Sequence, residues 1–232
     1  MSPLKIILDV HIRSSEGCAR NHDDVWEGTL AAVALGRREQ NKLEKRGRIV
    51  AAARALFRHK GFDATTSQEI ADAASVAAGT VFTYARTKDD LLIMVFHDEM
   101  MELVERAFIA AGGAEGVIDQ AVAFFETFVS YHERDLPLAH ALMRQLGYVG
   151  SQDQRGLVSE LMRSLLGRLA LLVQAAKNDG TVDATSALIP SARSMFAIYY
   201  FHLGGLLSGY LDRAQFDRAL RTDLGLLLRG LG

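Results

Sequence analysis

The chain has little cysteine. Cys18 stands alone in 232 residues, which excludes an intrachain disulfide framework and a cysteine-rich zinc site and suits a reducing cytoplasm. Proline is nearly as scarce, with three in the whole chain. So few helix breakers, among so much Ala, Leu, Arg and Glu, read as an all-α fold. Long apolar runs are also missing. The opening LKIILDVHI is broken by Asp9 and His11; it is too short for a signal peptide or a membrane span, so no membrane partner is expected. The signatures GxGxxG, Walker A, GxSxG and HExxH do not occur, and no Cys/His nucleophile pair is evident. No cofactor, metal or catalytic activity is therefore expected.

Hydrophobic residues make up 49% of the chain, enough for a sizeable core. The net charge of −2 hides an asymmetry. Residues 37–88 carry eleven Lys/Arg against five Asp/Glu, whereas residues 89–232 carry twelve against eighteen. A basic segment joined to an acidic remainder suggests that the first meets a polyanion and the second does something else. The rival reading is a solvated charged face.

Residues 1–36 lack a clear period and read as an N-terminal extension, either a flexible arm or sequence upstream of the true start. A short helix fits Val25–Gly36. From Leu43 a helical period begins, with Ile49, Ala52, Ala53, Leu56 and Phe57 on one face and Gly61 as its stop. Thr66 and Glu69, then Thr87 and Asp90, have capping-box spacing. Longer helices are expected near 115–133, 136–147, 154–178, 184–210 and 213–230, the last opened by Asp212 and Gln215. The chain divides into the extension, a head at 37–92 and a helical body at 93–232.

The stretch AAGTVFTYARTKDDLL (residues 77–92) is poor material for a core. Two short helices with a tight turn, behind a longer helix, are the parts of a helix-turn-helix. Its second helix enters the major groove of double-stranded DNA. Ala77, Ala78 and Gly79 keep that helix slim at its front. Thr80 reaches a base edge or a thymine methyl, and Thr83, Tyr84 and Lys88 reach phosphates. Val76 and Val81 point inward.

Residues 45–95, from KRGRIVAAARALFRHKGFDATT through EIADAA and GTVFTY to TKDDLLIMV, resemble the DNA-binding domain of the tetracycline-repressor-like (TetR) family of transcriptional regulators. The resemblance implies a three-helix head followed by a larger ligand-binding and dimerisation domain. It implies phosphate contacts at Thr66, Tyr84 and Lys88, and a recognition face of Ala78, Gly79, Thr80 and Thr83. The basic lead-in RREQNKLEKRGR adds Arg46 and Arg48 as backbone contacts, with Arg37 and Arg38 as arm contacts; its rival reading is a solvated helix start. Three departures stand out. Phe82 replaces a frequent Tyr, Ser75 holds a turn position usually given to Gly, and FTYA replaces the common YYHF.

In the body, Phe124, Phe128, Met143, Met162, Tyr199 and His202 are candidates to line a pocket for a small apolar or aromatic effector, with plain core packing as the alternative. Gly204, Gly205 and Ser208, with Leu220, Leu224 and Leu227, suggest a homodimer joined by a four-helix bundle. The expected function is a cytoplasmic repressor that binds a near-palindromic operator as a dimer and is released by its effector. An architectural DNA-binding protein without an effector and a helical enzyme are the competing readings.

Overall fold

The computed structural model describes residues 36–146 and 152–230. The expected N-terminal extension and the helix within it, together with Cys18, lie outside the described residues. Nine helices and no strand are present among those described. They are α1 (Arg37–Lys60), α2 (Ser67–Ala73), α3 (Ala78–Tyr84), α4 (Lys88–Ala111), α5 (Val117–Glu133), α6 (Leu136–Leu146), α7 (Gln152–Asn178), α8 (Leu188–Leu207) and α9 (Arg213–Arg229).

Local chemistry sets the helix ends. Thr66, Thr87 and Asp212 each accept the amide of the residue three positions on, while Glu69, Asp90 and Gln215 reach back to the cap amide. All three expected capping boxes are therefore formed. Gly61 ends α1 with φ 86°, a value open to glycine and strained for other residues. Helix α8 is shorter than the expected 184–210. Asp183 accepts hydrogen bonds from the Thr185 amide and hydroxyl at 2.6 and 2.5 Å, which holds a turn ahead of the helix. Beyond Leu207, the Leu211 amide donates back to the Gly205 carbonyl at 3.0 Å.

The basic lead-in is helical from Arg37 and exposed through Lys45. No proline interrupts it, and Glu39 pairs with Lys42 one turn on. It is a helix start rather than an extended arm, with Arg37 and Arg38 exposed on it.

Two cores meet in α4. The head core contains Ile49, Val50, Ala53, Phe57, Ile70, Ala71 and Val81, with Leu91, Leu92, Met94 and Val95 of α4. The body core takes Ile93, Phe96, Met100, Leu103, Val104 and Ala107 of the same helix, with α5, α7, α8 and α9. Residues 91–96 are buried all round because α4 lies between head and body. No cut in this turn, including one after Leu92, separates the two cores.

Candidate nucleic-acid interface and effector cavity

The head presents α3 on a rigid support. Ile70, Ala71 and Val81 are fully buried, so α2 and α3 cross closely where Ala71 leaves room. The turn between them passes through Ser75 at φ 54°, the left-handed region expected of a position that favours glycine. The Val76 amide donates to Ala71 O at 3.0 Å and closes this turn. Val76 itself is half-buried.

Side chains of α3 alternate in exposure. Ala78 and Thr80 are half-buried, while Gly79, Phe82 and Thr83 face outward. A β-carbon added at Gly79 would meet none of the described residues within 4 Å, so the helix front is bare of them. The Thr83 hydroxyl donates to Thr80 O at 2.6 Å. Phe82 is 51% exposed rather than packed.

Four expected phosphate contacts have partners within the subunit. Thr66 is tied into its capping box with Glu69. Tyr84 donates its hydroxyl to Lys42 O of α1 at 3.1 Å. Lys88 donates to Phe62 O and Asp63 O at 2.8 and 3.0 Å, above the Phe62 ring. Arg46 is paired with Asp98. These residues brace the head as the structure stands. Arg48 is exposed and faces away from the core.

The body holds two adjoining cavities. An apolar chamber of about 60 Å³ is lined by Phe128, Met143, Met162 and Tyr199 among the candidates, and also by Phe96, Met100, Phe196 and Leu203. Phe124 and His202 are corrections. Phe124 is fully buried against Phe125 and Phe128, and His202 Nε2 points to Asp223 of α9 at 2.8 Å. Neither lines the chamber.

A second cavity of about 300 Å³ lies between the end of α1, α4, α5 and α6, lined by Arg58, Leu92, Tyr131, Arg134 and Leu138 among others. Phe96 and His132 line both spaces and form their common wall. His132 is buried, and its Nδ1 has no hydrogen-bond partner among the described residues. Burial pushes its pKa down to about 4, so the ring is neutral near pH 7. The Tyr199 hydroxyl also lacks a hydrogen-bond partner among the described residues, and its ring stacks on Phe125 at 4.6 Å.

Beside this vestibule, Glu99 is buried, at 5% exposure. Arg58 donates to its Oε1 at 2.8 Å, Arg54 Nε lies 2.9 Å from the same oxygen, and the Tyr131 hydroxyl donates to Oε2. Burial and the Glu99 charge push the Tyr131 pKa far up and keep its proton on. Arg58, Glu99, Tyr131 and His132 are the residues that sequence reasoning missed. One signal was available: Glu99 falls on the buried stripe of Leu92, Val95, Phe96 and Leu103, where a carboxylate demands partners.

The dimer candidates also divide. Leu220 and Leu224 are buried in the subunit's own core and cannot reach a partner, which corrects their assignment. Gly205 accommodates Leu211, whose Cδ1 would lie 2.9 Å from an added β-carbon, so its small size serves a turn within the subunit. Leu227 and Gly204 are half-buried and Ser208 is exposed. Outward apolar residues of this pair of helices include Phe201 of α8, 76% exposed, and Leu226 of α9, 61% exposed, with Ile189 at the start of α8.

Comparison with known proteins agrees with this architecture. The family model for bacterial regulatory proteins of the tetR family matches residues 49–95. A fatty acid metabolism regulator protein of Bacillus subtilis (strain 168) is 33% identical over 67 residues, covering 29% of this chain and 34% of the relative. The match thus spans about a third of that protein's length. Two solved structures superpose over most of the chain. The fatty acid degradation regulator FadR from Bacillus halodurans gives a TM-score of 0.60 at 20% identity, covering 80% of this chain and 99% of its own. Thermus thermophilus FadR, a repressor solved with lauroyl-CoA, gives 0.67 at 24% identity, covering 81% and 95%. Identities this low show the fold alone.

Proposed function

From the premise that this chain belongs to the tetR family of bacterial regulatory proteins, we propose that it is a cytoplasmic, ligand-responsive transcriptional repressor rather than an enzyme. The observation that carries this reading is α3. It is a short, slim helix with a bare glycine front, held out from a packed three-helix head and matched to the family over residues 49–95. Such a helix reads one half-site, so two copies are needed for useful specificity. The outward apolar residues Phe201 and Leu226 support pairing through α8 and α9.

The effector is an amphiphile. Its apolar chain enters the chamber and its anionic head rests in the vestibule between Arg58 and Arg134. Long-chain acyl-CoA fits that description, and the Thermus thermophilus relative was solved with such a ligand. The chamber of about 60 Å³ must widen to admit a chain. That widening gives the ligand different affinities for two states, which release requires.

Fluorescence anisotropy of the full chain on DNA upstream of its own gene, against scrambled DNA across a salt series, tests the proposal. Salt-sensitive preference for the native sequence, lost on adding lauroyl-CoA, is the expected result. Equal affinity for both DNAs would favour the architectural alternative.

A further inference from the structure

We propose that Arg58 carries the signal between the two domains: an anionic head group in the vestibule draws its guanidinium away from Glu99, and α1 loosens from α4. The inference rests on the reading that the effector occupies the vestibule and chamber, and it adds how that occupancy reaches the DNA-binding head.

Glu99 is a junction of three elements. It belongs to α4, is ion-paired with Arg54 and accepts a hydrogen bond from Arg58 of α1 in the head, and accepts another from Tyr131 of α5 in the body. Two of these partners, Arg58 and Tyr131, also line the vestibule, so an occupant touches the junction directly. The Arg58 side chain is 55% exposed against 6% for Glu99. The guanidinium is thus open to an incoming anion, while the carboxylate stays where it is.

The charges favour exchange. Among the described residues, Arg58 and Arg134 are the cations of the vestibule lining, and Asp135 is its carboxylate. Asp135 is already engaged as acceptor of the Leu138 amide at 3.0 Å. A phosphate competes well for a guanidinium because the contact is charge-assisted and often two-pronged. Glu99 is not orphaned when Arg58 leaves, since Arg54 and the Tyr131 hydroxyl remain on it, and stranding a buried charge would otherwise forbid the step. What changes is the clamp on α1. Arg46–Asp98, Arg54–Glu99 and Arg58–Glu99 hold that helix to α4, and one of the three is lost.

Linkage makes this testable with probes of known chemistry: dodecyl phosphate, which has a chain and an anion, and dodecanol, which has the chain alone. Calorimetry reads probe binding and anisotropy reads DNA affinity. Arg58→Gln and Glu99→Gln both remove the Arg58–Glu99 ion pair, so both should bind DNA about tenfold more weakly without any probe and show no further release by dodecyl phosphate. The probe affinities should move in opposite directions. Arg58→Gln should bind dodecyl phosphate no better than dodecanol, and Glu99→Gln should bind it more tightly than the natural chain because Arg58 is free. Circular dichroism checks folding, and if one variant does not fold the other decides. The proposal is overturned if dodecyl phosphate releases DNA from Arg58→Gln as it does from the natural chain, or if Glu99→Gln gains no affinity for it. Failure of both probes to bind the natural chain would overturn the cavity reading and this inference with it.

Discussion

Arg46 and Asp98 form a two-pronged ion pair, at 3.0 and 3.1 Å, that ties α1 to α4 across 52 residues of sequence. Burial pushes the Asp98 carboxyl up, but hydrogen bonds from Arg46 and His97 outweigh it and hold the group below its usual range. The pair separates two arginines that look alike in the sequence. Arg48→Gln is expected to lower the slope of log affinity against log salt by about one, as for a lost phosphate contact. Arg46→Gln should leave that slope unchanged and lower the melting temperature instead. Salt titrations on operator DNA and thermal melts of both variants check this.

Gly79 tests the recognition helix. A larger side chain fits the free protein, because nothing lies within 4 Å of an added β-carbon. Gly79→Leu should keep or slightly raise stability, since leucine favours a helix over glycine by about 0.8 kcal/mol. On DNA the same side chain occupies the space of the groove floor, and affinity should fall at least about tenfold. Equal DNA affinity in the variant would show that this face does not approach bases.

The turn residue Ser75 holds φ 54° without glycine's freedom. Ser75→Gly removes a left-handed cost of about 1–2 kcal/mol and adds some unfolded-state entropy. A net gain of about 1 kcal/mol is expected in urea denaturation.

His132 gives stability a pH dependence. Its ordinary value of 6.5 falls to about 4 in the folded chain. Between those values the unfolded chain binds the proton and the folded one does not. The contribution is therefore complete above pH 6.5 and is lost as pH falls toward 4, amounting to about 3 kcal/mol in all. His132→Phe should flatten that part of the stability profile. Denaturation midpoints for both proteins from pH 4 to 7.5 would show it.

Leucines two apart on α9 should behave oppositely. Leu224 is fully buried, so Leu224→Ala should cost about 2–5 kcal/mol of subunit stability. Leu226 is 61% exposed, so Leu226→Asp should leave the subunit folded and shift a dimer to monomer in sedimentation. A Leu226→Asp dimer of unchanged affinity would move the interface elsewhere.

Much of this was legible in the chain alone. Capping spacing, the 3.6-residue period and Gly61 are local features, and they placed most of the described helices closely, whereas α1 starts at Arg37, ahead of the period read from Leu43, and α8 is shorter than expected. The head was readable because its turn, slim front and basic setting lie within one short stretch, residues 66–88. Body sites were less so. Phe124 and Phe128 share a helix and a residue type, yet only Phe128 reaches the chamber. Leu224 and Leu226 differ by about 200° around α9, and only packing against α5 and α8 decides which of them faces in.

The sequence by itself determined the all-α fold, the three capped helix starts and the helix-turn-helix, because each depends on residues no more than a few turns apart. The tertiary structure alone decided which charges are free and which are committed. Arg46 meets Asp98 and Arg58 meets Glu99 across 52 and 41 residues, and Tyr131 meets Glu99 across 32. No periodicity encodes such pairs, since they arise only when α1 and α5 both pack against α4.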